Sequence, residues 1–355
     1  MVGIKDVAKK AGVSVSTVSN VINGRTNQMR KETLERIEQC IKDLHYLPNK
    51  SAQQLKSGQV KMIGVLIPSF MNPNFAALVN ILEKIARENY GYQIMIGNTN
   101  RQDKQEQHFL EEMSAFGISG AIVVSADTEK KHFKKAIENG MNIISYDGVD
   151  SSQNEELLID SISMDNFKAG ELAASFLIQQ GIRDLMFVTI HGDFLSRMNK
   201  ISGFKHALKT YGINTDGTEL VIKETEDFGD ADLIRIGTKA ADYLLKNRKK
   251  LPKGIVTIND MVALGMISRF QSLGIKIPDD ISIIGIDDTY LSALMSPSLT
   301  TISSPINKMA QQMLKRLISR IEGSKLKPKE FLYMPKLVCR KSVKTIEKKG
   351  IKVKH

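Results

Sequence analysis

Apolar positions recur with a helical period over the first fifty residues and with a strand–helix rhythm over most of the rest. Ile4, Val7, Ala8 and Ala11 stand at i, i+3, i+4 and i+7, one apolar stripe of a short helix. Gly12 follows where a helix ends on a left-handed residue, and Ser14 is placed to cap a second helix. That second helix turns Val18, Val21 and Ile22 inward, leaving Val15, Ser16, Thr17, Ser19 and Asn20 on a face of short, uncharged side chains. A loop from Gly24 to Lys31 leads to a third helix expected from about Glu32 to Tyr46, with Leu34, Ile37, Ile41 and Leu44 on its stripe. The stretch Pro48–Gly58 holds at most one or two helical turns, too short to be stable alone.

From Lys61 onward, apolar runs alternate with amphipathic segments. Strands are expected at Met62–Ile67, Tyr92–Ile96, Ala121–Val124 and Asn142–Tyr146, with helices at Asn74–Glu88, Asp103–Ala115 and Lys130–Glu138 between them. A second cycle begins near Leu158. It has helices at Asn166–Gln179, Gly203–Tyr211, Leu233–Lys246 and Met261–Leu273, and strands at Leu185–Ile190, Leu220–Lys223, Ile255–Ile258 and Ile281–Ile286. Such alternation gives parallel βαβ units and hence a doubly wound α/β sheet, here twice over. Ligands in open sheets of this kind sit beyond the carboxyl ends of the strands, so two facing lobes make a cleft.

Two short helices around a tight corner, the second exposing small polar side chains with basic residues beside it, form a helix-turn-helix pattern. Short side chains reach base edges in a major groove, while cations meet phosphates. The candidate DNA contacts in the head are Lys5, Ser14, Val15, Ser16, Thr17, Ser19, Asn20, Asn23 and Arg25. An ordinary surface helical hairpin has the same spacing, and what separates the two is a third helix long enough to complete a small domain.

At this point the chain resembles the LacI/GalR family of bacterial transcriptional repressors. The likeness is carried by Ile4-Lys5-Asp6-Val7-Ala8, Ala11-Gly12-Val13-Ser14, Thr17-Val18-Ser19, Val21 and Asn23, then by Tyr46, Pro48-Asn49, Ala52 and Leu55-Lys56. Further matches are Asn259-Asp260-Met261-Val262-Ala263-Leu264-Gly265, Gly285-Ile286-Asp287-Asp288, Pro297-Ser298-Leu299-Thr300-Thr301 and Leu337-Val338-Cys339-Arg340-Lys341-Ser342. Together they span about residues 3–342. The resemblance implies a three-helix DNA-binding head over 1–48 and a hinge helix over 49–60. In that hinge Asn49, Ala52, Leu55 and Lys56 meet DNA, with Leu55 wedged into the central minor groove of a palindrome. It implies a core over 61–340 built like a periplasmic sugar-binding protein, and a basic tail over 341–355. Lobe 1 is expected at 61–161 and 292–323, and lobe 2 at 162–291 and 324–340, so that Leu299–Gly323 returns to the first and Phe331–Arg340 to the second. Implied partners are double-stranded operator DNA, a small-molecule effector (a sugar or sugar phosphate) and a second copy of the chain, with a tetramer left open.

Charge sharpens this division. The chain carries a formal +11, and residues 1–60 hold +5 of it and residues 340–355 hold +6, so the remainder is balanced. Phosphate binding accounts for the basic head, and the tail reads as a solvated extension. Cys40 and Cys339 fit no metal spacing and read as reduced cysteines of a cytoplasmic protein. No metal or cofactor is expected, and neither is a membrane association, since no run has spanning length and no apolar leader precedes the head. Phosphate-loop, dinucleotide, zinc-protease and nucleophile-elbow motifs are missing, and the six histidines are scattered, so an enzyme is not expected.

Strand ends supply the candidate effector site: Ser69, Asn72, Asn74, Phe75, Asn98, Ser125 and Asp147 from the first lobe, and Arg197, Lys200, Asn259 and Asp260 from the second. Asp287 is expected behind them in a structural role. Sugar hydroxyls call for Asp, Asn and Arg, with an aromatic face such as Phe75 for the ring. Asn74 and Asp260 also begin helices, where their side chains can be spent on caps. The family usually places an arginine three residues before the Gly-aromatic pair, here Gly203-Phe204, and this chain has Lys200 instead. A lysine is a point charge and not a fork, which leaves open an anionic ligand, or a phosphorylated carrier protein as co-regulator.

Overall fold

The computed structural model describes residues 2–27, 29–46, 60–125, 127–148, 157–192, 194–223 and 232–346. The chain forms two compact units, Met1–Val60 and Lys61–His355.

The first unit contains α1 (Ile4–Ala11), α2 (Val15–Ile22) and α3 (Lys31–Asp43). Val7, Ala8, Ala11, Val18, Ile37 and Cys40 make its core, with Ile4, Val21, Ile22, Ile41 and Leu44 packed around them. Helix α1 ends on Gly12 at φ 64°, a left-handed conformation with no steric cost for glycine. Helix α3 stops three residues short of the expected Tyr46. His45 turns left-handed at φ 45°, and the N–H of Tyr46 reaches back to the carbonyl of Ile41. An ion pair of 3.1 Å between Lys10 and Asp43 ties α1 to α3. The Asp43 carboxyl lies below its ordinary pKa because Gln39 and Lys10 hydrogen-bond to it.

The second unit holds two six-stranded sheets. The first runs β11 (Glu330–Tyr333), β5 (Asp160–Met164), β4 (Asn142–Tyr146), β3 (Gly120–Val124), β1 (Met62–Ile67), β2 (Gln93–Asn98), parallel throughout. The second runs β12 (Lys336–Val338), β10 (Thr300–Ser303), β9 (Ser282–Asp287), β8 (Gly254–Thr257), β6 (Leu185–Ile190), β7 (Glu219–Ile222), parallel except for β12. Each sheet winds out from its first strand in both directions, with a switch point between β1 and β3 and between β6 and β8. Helices α4 (Pro73–Ile85), α5 (Asp103–Ala115), α6 (Lys131–Glu138) and α12 (Ile306–Ile321) flank the first sheet. Helices α7 (Asn166–Gln179), α8 (Leu195–Thr210), α9 (Leu233–Asn247) and α10 (Asp260–Ser272) flank the second, and the short α11 (Tyr290–Leu294) follows β9.

Three expectations about the lobes are corrected. A boundary at 161/162 would cut β5, which lies wholly in the first sheet. Of Leu299–Gly323 only α12 returns to the first lobe, because β10 pairs with β9 in the second sheet. Of Phe331–Arg340 only the part from β12 onward belongs to the second lobe, because β11 pairs with β5 while Arg340 bonds to Thr300. The chain therefore crosses between lobes after β5, after β10 and after β11.

Strand β5 escaped notice because its sequence, Asp-Ser-Ile-Ser-Met, reads as polar. All five residues are buried, and neighbours satisfy the polar ones. Asp160 accepts from Arg316 at 2.6 Å, from Arg320 at 2.7 Å and from the N–H of Lys329 at 2.9 Å. Those bonds lock α12 against the first sheet at the crossing. Helix α8 begins eight residues before the expected Gly203, because its first turns bury Ser196, Arg197 and Lys200 and so lose the apolar stripe.

Candidate functional site

In the head, Ser14 caps α2 by accepting from the N–H of Thr17 at 3.1 Å, and its hydroxyl also meets those of Ser16 and Thr17. Asn23 ends the helix with its amide on the carbonyl of Ser19 at 2.7 Å. Lys5, Ser14, Val15, Ser16, Asn20, Asn23 and Arg25 are exposed, and Thr17 and Ser19 are half-buried. The packing of Val18 against α1 and α3 thus leaves a short, uncharged, accessible face on α2, with Lys5 and Arg25 in the same small unit. The expected hinge contacts Asn49, Ala52, Leu55 and Lys56 lie outside the described residues.

In the core, one cleft of about 650 Å³, its open mouth included, lies at the carboxyl ends of strands from both sheets. Asn72, Asn74 and Phe75 reach it after β1, and Tyr146 and Asp147 at the end of β4. From the second lobe come Ile190 after β6, Ser196, Arg197 and Lys200 on α8, and Ile258 and Asn259 after β8. Seven of the eleven expected residues line it: Asn72, Asn74, Phe75, Asp147, Arg197, Lys200 and Asn259. Two of these also cap helices, Asn72 accepting from the N–H of Asn74 and Asn259 from that of Val262.

Four expected residues are placed elsewhere. The Ser69 hydroxyl accepts from the N–H of Met71, Ser125 donates to the carbonyl of Asp127, and the Asn98 amide donates to Asn100. Asp260 is fully buried, with one oxygen accepting from Thr301 and the other from Ser292 and the N–H of Thr289. Burial pushes its pKa up to about 6, against those hydrogen bonds, which favour the carboxylate. It holds the β9–α11 corner together. Asp287, expected to be structural, lines the cleft instead, with φ at 119°.

The sequence reading also missed Arg101, Met164, Asn166, Ser304 and the buried Tyr146. Asn166 follows β5, the strand hidden by its polar residues. Its amide nitrogen donates to Asp147 at 3.0 Å and to Ser163 at 3.3 Å, while its Oδ1 is buried without a hydrogen-bond partner. Burial, together with Asp147 and Asp287, raises the pKa of the Tyr146 phenol, which bonds to Asn74. Arg101 crosses from the first lobe to stack on Phe194 at 4.8 Å, and Arg197 covers the same ring at 4.5 Å.

The backbone places α8 with little freedom. A Cβ on Gly203 would fall 1.8 Å from the carbonyl oxygen of Phe167, and one on Gly170 would fall 1.9 Å from that of Lys200. The two helices therefore touch backbone to backbone, which fixes Lys200 and Arg197 relative to Asn166. Phe204 then packs edge-on against Phe187 at 5.4 Å in the core. Outside the cleft, Asp103, Glu106 and His132 bring ligand-type atoms within 4.8 Å of one another. Lys130 already supplies a cation there, 2.8 Å from Asp103 and 3.2 Å from Glu106. Among the described residues no helix is long and apolar enough to cross a membrane.

Comparison with known proteins bears on both units. Residues 3–49 match the bacterial regulatory proteins of the lacI family, and residues 174–343 match the periplasmic binding protein-like domain. The transcriptional repressor PurR of Histophilus somni is 32% identical over 98% of this chain and all of its own length. The transcriptional regulator KdgR of Bacillus subtilis is 29% identical over 96% of this chain and 97% of its own. Among solved structures, the lac repressor dimer bound to operator and the anti-inducer ONPF aligns with a TM-score of 0.78 at 24% identity, over 96% of this chain and 98% of that one. A LacI-family regulator from Enterococcus faecium with bound ribose aligns with a TM-score of 0.69 at 25% identity, over 81% of this chain and all of that one. These relatives are regulators and not enzymes. A helix-turn-helix head followed by a two-lobed α/β core, with this likeness along nearly its whole length, establishes that the chain belongs to the LacI family of bacterial transcriptional regulators.

Proposed function

We propose that the protein is a homodimeric repressor that binds a pseudo-palindromic operator and releases or tightens it according to a small molecule held between its two lobes. Each α2 lies in a major groove, where Ser16, Thr17 and Asn20 meet base edges and Lys5 and Arg25 meet phosphates. The hinge segments, through Leu55, open the minor groove at the centre of the site. The observation that carries the reading is the cleft, whose polar lining comes from both lobes, in a chain that also bears an accessible α2 face. A ligand touching both lobes favours one angle between them over another. It can shift DNA affinity only by its differential affinity for the two, typically about 1–3 kcal/mol. That the Histophilus somni relative is a repressor, and that the Enterococcus faecium regulator holds ribose, support this reading.

The test is fluorescence anisotropy on an operator found by binding-site selection, with a panel of sugars, sugar phosphates and purines. The expected outcome is a palindromic site bound tightly by a dimer, and one compound class that changes its dissociation constant at least five-fold. Lys5→Ala should weaken binding to all sequences and lower the slope of log affinity against log salt by about 0.9, one phosphate contact's worth. A protein that binds its selected palindrome no better than random duplex, with or without any compound, would end the proposal.

A further inference from the structure

Two groups in the cleft are open to a ligand, and they call for opposite things. Lys200 is 9% exposed and lines the cleft from α8. Among the described residues its ammonium has no hydrogen-bond or ion-pair partner. The ammonium opens into the cleft, and nothing in α8 lets it withdraw, because Gly170 and Gly203 hold that helix backbone to backbone against α7. On the facing helix start, Asn166 is 3% exposed and its Oδ1 is buried with no donor. Its amide nitrogen is committed to Asp147 and Ser163, so the side chain cannot flip to relieve the oxygen without losing both bonds.

The geometry points to an effector that is an acidic sugar: a polyhydroxylated body whose hydroxyls donate to Asn166 and Asp147, carrying a carboxylate or phosphate that pairs with Lys200. A neutral sugar would satisfy Asn166 but leave the ammonium without its counter-charge. A bare anion would do the reverse. The surroundings agree, since the first turn of α8 also brings Ser196 and Arg197 to the cleft wall. Lysine suits this role better than a neutral-sugar clamp, because it offers a point charge without the planar fork that grips vicinal hydroxyls. This inference rests on the cleft being the effector site.

The experiment uses the full-length protein and variants Lys200→Gln and Lys200→Arg, with glucuronate, glucose 6-phosphate, inorganic phosphate and neutral glucose at matched ionic strength. Calorimetry and thermal shift are the readouts. At least one of the two acidic sugars should bind saturably and at least ten-fold more tightly than glucose, and its identity tells carboxylate from phosphate. Lys200→Gln should weaken that binding at least ten-fold, and Lys200→Arg should recover most of it. Glucose binding as tight as the acidic sugars, acidic-sugar binding unchanged by Lys200→Gln, or no saturable binding of any anionic probe would each overturn the inference. Binding of glucose alone would do so while leaving the cleft as the sensor. Loss of the cleft itself is read separately, from operator affinity that no compound class alters.

Discussion

Gly203→Ala tests whether the α7–α8 contact positions the effector site. An added Cβ would sit 1.8 Å from the carbonyl oxygen of Phe167, 2.7 Å from its carbon and 3.0 Å from the N–H nitrogen of Glu171. Carbon and oxygen need about 3.3 Å, so α8 must retreat by roughly 1.5 Å, and every obstructing atom is backbone. Alanine gains about 1 kcal/mol over glycine in helix propensity. With only backbone to yield, overpacking falls in the upper half of its usual range, about 2–3 kcal/mol, so the net is a destabilisation of about 1–2 kcal/mol. For a unit of this size that lowers the thermal midpoint by several degrees, at about 2–4 °C per kcal/mol. The assay is thermal unfolding by circular dichroism, paired with cleft-ligand affinity, because the displaced turn carries Lys200. Gly265→Ala is the comparison. Its Cβ would meet the carbonyl of Ile234 at 2.0 Å on the α9–α10 contact, so it should lower the midpoint similarly and leave ligand affinity alone. A rise in midpoint for Gly203→Ala, as propensity alone dictates, would refute the reasoning.

Three further outcomes follow from the same structure. Asp160→Asn leaves Arg316 and Arg320 without their buried counter-charge and should cost about 3–5 kcal/mol in chemical denaturation; a loss within about 0.5 kcal/mol would show that the α12 crossing does not depend on it. Because burial raises Asp260 from 3.8 to about 6, its stabilising contribution is complete below the lower value and fades as pH rises through the upper one, by about 3 kcal/mol. Asp260→Asn should remove that slope, so the gap between wild type and variant narrows from pH 4 to pH 7, and a gap that widens would reverse the assignment. Asn20→Arg should shift one operator position toward guanine in binding-site selection, since arginine pairs bidentately with guanine where asparagine pairs with adenine; an unchanged motif would remove Asn20 from base readout.

Local chemistry alone determined the head and most of the core. A stripe of Val7, Ala8 and Ala11, a left-handed Gly12 and a Ser14 cap need only neighbours within a few residues, so their spacing specified two helices and the corner between them. Runs such as Met62–Ile67 and Leu185–Ile190 are apolar on both faces because both faces are covered, and that too is written locally. Tertiary structure decided the rest wherever polar residues are buried. Strand β5 and the first turns of α8 look like loops in sequence because their serines, Asp160, Arg197 and Lys200 find partners or a cleft far along the chain. The lobe that owns β10 or β11 is a matter of which edge each strand pairs with, and a four-residue strand carries no mark of that choice. The cleft showed the same split. Asn72, Asn74 and Asn259 follow expected strands and were legible. Asn166 and Asp287 became part of it only when two sheets faced each other, and Asp260, so like a sugar ligand in sequence, was drawn away by three hydrogen bonds from the segment Thr289–Thr301.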